Sequence, residues 1–104
     1  MSIPWFCCSL AEDGVHLSVN RPDNDHWDAS FSWKQITKVC FKATDIYSVD
    51  VIRIYLDDGT HYDIPLEAEG GYNLWEQLID RGLFDSELAA QLRFAENEIR
   101  CWPP

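Results

Sequence analysis

Two Asp-Gly dipeptides, Asp13-Gly14 and Asp58-Gly59, each sit between short segments in which apolar residues recur at every second position. That pattern is a strong local signal for a β-hairpin, because Asp-Gly suits a tight turn and the alternation gives each strand one face to bury. The first turn separates Trp5 to Leu10 from Val15 to Val19, and the second separates Val51 to Leu56 from Thr60 to Ile64. In the second hairpin Ile52, Ile54 and Leu56 share a face that Tyr62 and Ile64 continue beyond the turn. Ala29, Phe31 and Trp33, then Val39, Phe41 and Ala43, repeat the period of two, so six strands are expected before residue 65.

Pro65 and Gly70-Gly71 are expected to end the strand-rich part, since proline and paired glycines suit strand interiors poorly. The spacing then predicts a helix with Leu74, Trp75, Leu78 and Ile79 on one face, an Asn73 to Glu76 capping box and a stop at Arg81-Gly82. Asp85 or Ser86 caps a second helix with Leu88, Ala89, Leu92 and Ala95 on one stripe, and Glu98 to Trp102 reads as a short final strand. With 104 residues, 46% of them hydrophobic, the chain supports one self-sufficient core and one domain, 1–104. The expected fold class is α+β, mainly antiparallel sheet or a partly open barrel, followed by two helices and that strand.

The formal charge of −10 bears on partners. Such a field repels nucleic-acid phosphates and anionic headgroups and speeds encounter with basic surfaces, so direct nucleic-acid and membrane binding are not expected. Lys34, Lys38 and Lys42 run against the trend, and their spacing reads as a solvated strand face that would also protect an exposed edge. Cys7-Cys8, Cys40 and Cys101 form no C-x-x-C pair and no distributed disulfide pattern, so they read as buried thiols in a reducing compartment. The start, Met1-Ser2-Ile3-Pro4, lacks a basic region followed by an apolar stretch, so a cytoplasmic location is expected.

No Gly-rich phosphate loop, Gly-x-Ser-x-Gly elbow or His-Glu-x-x-His helix occurs, and His16, His26 and His61 have no fixed nucleophile partner. The expectation is a protein that is not an enzyme and has no cofactor. The loop Asn20 to Asp28 carries Asp23, Asp25, His26, Trp27 and Asp28. Its acids resemble the opening of a calcium loop, yet the sixth-position glycine and twelfth-position glutamate are missing, so no metal is expected. The loop is either only a polar connection between strands or a partner-binding site, since a large apolar ring among acids has the composition of an anchor ringed by steering charges. A second acidic run, Asp45, Asp50, Asp57, Asp58, Asp63, Glu67 and Glu69, is either a solvated face or the rest of the same negative surface.

The runs Phe31-Ser32-Trp33-Lys34-Gln35-Ile36, Val39-Cys40-Phe41-Lys42-Ala43, Val51 to Gly59 and Leu74-Trp75-Glu76-Gln77-Leu78, with the ending Ile99-Arg100-Cys101-Trp102, resemble small bacterial proteins with a pleckstrin-homology-like strand order. The likeness covers about residues 29–102 and speaks to fold more than to activity. Small acidic proteins of this sort also look like the immunity proteins that accompany contact-dependent or other secreted toxins. That resemblance implies a basic protein partner, such as a nuclease-type toxin domain, whose active site is occluded. Asp23, Asp25, Asp28, Asp57, Asp58 and Glu67 would face its lysines and arginines, with Trp27 and Tyr47 as apolar anchors. The alternative is a pleckstrin-homology-like scaffold or regulatory module that binds a peptide or small ligand.

Overall fold

A computed structural model describes residues 3–23, 26–44, 49–93 and 95–104. Two four-stranded sheets enclose one core. The first has the order β3-β2-β1-β7 and is built from β1 (Ile3–Leu10), β2 (Gly14–Asn20), β3 (His26–Ser32) and the two-residue β7 (Ala68–Glu69). The second has the order β6-β5-β4-β8, from β4 (Ile36–Ala43), β5 (Val51–Leu56), β6 (His61–Pro65) and β8 (Glu98–Trp102). All pairings are antiparallel except β1 with β7. Helices α1 (Gly71–Asp80) and α2 (Ser86–Leu92) lie between β7 and β8 in the chain. The α+β class, the two helices and the final strand are as expected, but no pairing among the described residues closes the two sheets into a barrel.

Alternation decides which faces meet. Phe6 and Cys8, Val15, Leu17 and Val19, and Phe31 project inward from the first sheet, while Val39, Phe41, Ala43, Ile52, Ile54, Leu56 and Ile64 do so from the second. Removing these apolar side chains from water is the main stabilising term. The two Asp-Gly turns use their glycines differently. Gly59 has a φ of 88°, the left-handed conformation expected in a tight turn. Gly14 lies inside β2, where a Cβ would collide with the Phe31 carbonyl oxygen, so it is there for room between β2 and β3.

Four expectations are corrected. Trp33 does not continue β3; residues Trp33–Gln35 form a 3₁₀ turn that carries the chain from one sheet to the other. Helix α1 begins at Gly71, ahead of Asn73, with Gly70 as its cap and no side-chain cap, because Leu74 and Leu78, both fully buried, set its position. Lys38 and Lys42 project from β4, which is paired on both sides, so they protect no edge and Lys34 lies in the 3₁₀ turn. Cys40 and Cys101 are not free thiols: they form a disulfide across β4 and β8. Residue order could not reveal this bond, since 61 positions separate the two and their juxtaposition depends on the β4–β8 register. Asp85 caps α2 as expected, its carboxylate accepting a hydrogen bond from the Leu88 N–H at 2.9 Å.

Candidate functional site

The 3₁₀ turn brings the two hairpin turns to one pole of the molecule. On one side the Trp33 N–H donates to the Asp13 carbonyl at 3.1 Å, and on the other the Asp57 N–H donates to the Gln35 carbonyl at 2.9 Å. Glu12, Asp13, Asp57 and Asp58 are therefore held around a three-residue segment, all four exposed. Each turn is rigid in its own right. The Ala11 N–H bonds to the Gly14 carbonyl at 2.9 Å, and the Leu56 N–H to the Thr60 carbonyl at 2.9 Å. Asp58 accepts from the Thr60 N–H at 2.9 Å and from its hydroxyl at 2.6 Å, which holds the Asp58 carboxyl below the ordinary range and keeps it charged.

Trp33 anchors this pole from beneath. Its ring is buried and its Nε1–H donates to the Ala11 carbonyl at 3.1 Å. The Arg81 guanidinium lies 4.2 Å from the ring centroid, a cation–π contact that also brings it to the Glu12 carbonyl at 3.4 Å. Beside the pole runs a shallow groove of about 380 Å³ lined by Asp13, His16, Ser30, Phe31, Ser32 and Gln35, with His16 Nδ1 2.6 Å from the Ser30 hydroxyl.

The other acids expected at a shared surface lie elsewhere. Glu67 follows the end of the β5–β6 hairpin opposite to Asp57 and Asp58, where its carbonyl accepts from the Ile3 N–H at 2.9 Å. Asp23 lies in the β2–β3 turn, 3.8 Å from Arg21, and Asp28 stands opposite Ser18 on the outer face of the first sheet. Trp27 faces inward, half-buried, with its ring stacked on Tyr62 at 5.8 Å and edge-on to Phe6 at 6.0 Å. It packs at the rim of the core rather than standing as a free anchor. Asp25 and Tyr47 fall outside the described residues.

Cys7 donates to a Glu69 carboxylate oxygen at 3.2 Å, which raises its pKa, and burial pushes Cys8 up to about 12, so both stay as thiols at neutral pH. Arg53 and Asp63 form a two-point ion pair at 2.6 and 3.1 Å on the outer face of the second sheet. No cluster of three or more metal-ligating side chains occurs among the described residues. The sequence reading missed Glu12 and Asp13 as neighbours of Asp57 and Asp58, because their proximity depends on long-range backbone bonds through the 3₁₀ turn. Comparison with family models, curated proteins and solved structures finds no match to the chain.

Proposed function

We propose that this chain is an acidic binding protein, most concretely an immunity protein that neutralises a basic, nuclease-type toxin domain by covering its active site. The observation that carries the reading is the pole at which Glu12, Asp13, Asp57 and Asp58 surround the 3₁₀ turn and outnumber the cations there, Lys34 of the turn and Arg81, in a chain of net charge −10. A nuclease cleft is basic because it binds phosphates, and carboxylates on a rigid support can occupy it with their charges already in place. Glu12 and Asp57 use only backbone atoms in the turn contacts, so their side chains are free to meet lysines and arginines. The protein needs neither metal nor cofactor for this role.

The proposed place of action is the cytoplasm. The Cys40–Cys101 bond pulls the other way, since reducing compartments rarely keep such bonds. Counting alkylatable thiols in protein quenched directly from cells decides between them, with four expected for a reduced cytoplasmic chain and two for an oxidised one. Among the described residues no helix is long and apolar enough to cross a membrane.

A second reading is a pleckstrin-homology-like scaffold or regulatory module that takes a peptide or small ligand. What supports it is a cavity of about 340 Å³ lined by Phe41, Asp50, Leu66, Tyr72 and Trp75, within the size range of small-ligand sites. A protection assay separates the two. If a neighbouring gene encodes such a toxin domain, cells that express it should survive when the chain is co-expressed and die when it is not. Survival without the chain, or death despite it, would sink the immunity reading.

A further inference from the structure

Strand β8 ends the second sheet, so one of its long sides is bonded to β4 and the other is an edge. In an antiparallel ladder the N–H and C=O of one residue point to the same side, and successive residues alternate sides. Cys40 and Cys101 stand directly opposite each other at a Cα–Cα distance of 3.9 Å, the close spacing of a pair that exchanges no backbone hydrogen bonds. Cys101, and by alternation Ile99, therefore aim both backbone groups away from β4. No hydrogen bond among the described residues occupies them.

Helix α2 borders this edge but leaves a groove of about 390 Å³ beside it, lined by Leu88 and Gln91 with Ile99 to Trp102. The strand has no proline, no lysine and no bulge against β4. Ile99 is 53% exposed, and it stands on the outer face between two charges that neutralise each other: Arg100 bonds to Glu98 at 2.7 Å on the opposite face. The covalent tie to β4 fixes the strand in place, so an incoming strand meets a preformed edge.

We infer that β8 pairs with β8 of a second copy of this chain, antiparallel and about a two-fold axis at Ile99, joining two four-stranded sheets into one of eight. The segment Glu98-Ile99-Arg100 is its own charge complement when read in reverse. In that register Ile99 opposes Ile99 of the other copy and the two exchange a pair of N–H···O=C bonds through the groups already turned outward. Each Glu98 then opposes Arg100 of the other copy on one face, and the two Ile99 side chains cover each other on the other face. A two-fold contact of this kind is the commonest way that identical chains associate. Shifting the register by one residue at both strands would set Arg100 against Arg100, so the charges select the alignment. The short strand makes a small interface and the two chains repel through −10 each, so the dimer is weak and strengthens as salt rises.

Sedimentation velocity of the full oxidised chain at concentrations up to about 1 mM tests this. Dimer fraction should increase with concentration and with salt. Ile99→Pro deletes an outward N–H and leaves the β4 ladder intact, and should weaken association more than tenfold with an unchanged circular dichroism spectrum. Glu98→Arg and Arg100→Glu should each lose self-association, yet a mixture of the two variants should form a heterodimer, because each then opposes the other's reversed charge. A chain that stays monomeric at every salt, a dimer indifferent to Ile99→Pro, or a mixture that fails to associate overturns the inference. The mixture decides the matter if the proline variant does not fold.

Discussion

Strands β3 and β8 each form an edge of a four-stranded sheet, and they are held there by different means. β3 is held by side chains: Phe31 is 5% exposed and stacks on Tyr62 at 5.6 Å, and Trp27 stacks on the same ring from further along the strand. β8 places no buried residue in the core and is held by its backbone ladder and the bond from Cys101 to Cys40. A strand with a ring to bury is fixed by water exclusion where that ring packs. A strand without one needs a covalent tie, and its remaining backbone groups are left for another partner.

The largest expected effect is on the β3 side. Phe31→Ala leaves a cavity beneath Tyr62 and should lower unfolding stability by 3 to 5 kcal/mol, about the usual range for such truncations, as read by urea denaturation. Protection of β8 against hydrogen exchange relative to global unfolding should not change. A loss below about 1 kcal/mol would mean that β3 is not held by burial.

Reduction should act on the other sheet. Opening a link that spans 61 residues should remove about 2 to 4 kcal/mol of global stability. The exchange of amides 98–102 should accelerate well beyond that of β1 and β2. Equal acceleration in both sheets would contradict a locally tethered strand. The Cys40→Ala, Cys101→Ala double variant should behave as the reduced chain does.

The smallest effect sharpens the comparison at the opposite edge of the second sheet. Hydrogen bonds from Arg53 hold the Asp63 carboxyl below the ordinary carboxylate range. The pair therefore stabilises the fold above the unfolded-state pKa of about 4, and that contribution is lost as pH falls through the lower folded-state value. Both partners are substantially exposed, which limits the contribution to about 0.5 to 1 kcal/mol. Asp63→Asn should remove that slope from the acid side of the stability–pH curve, below about pH 5, and leave the rest of the curve in place.

The same contrast explains what could be read from the sequence. Wherever a strand has an apolar face, as β2, β5 and the inner part of β3 do, alternation marked it, and even β8 was visible from its aromatic and β-branched residues before Pro103. The Asp85 cap and the Arg81-Gly82 stop were legible because capping chemistry is local. What was hidden depends on register between distant segments. Nothing near Cys40 signals Cys101, and nothing near Asp57 signals that Gln35 and Trp33 tie it to the turn at Asp13. Trp27 misled for the opposite reason: its neighbours in sequence are acids, but its neighbours in space are Phe6 and Tyr62. A capping box at Asn73 was locally sound, but α1 is capped at Gly70, three residues earlier.

The proposed role of the acidic pole is put to the test by titrating the purified chain against any toxin domain that a neighbouring gene encodes, at low and at physiological salt. Tight binding at low salt should weaken at least tenfold at the higher one, and Glu12→Lys with Asp57→Lys should weaken it further while leaving thermal stability near that of the parent. Affinity that ignores both the salt and the reversed charges would contradict the account, because those side chains would then not be what the partner meets.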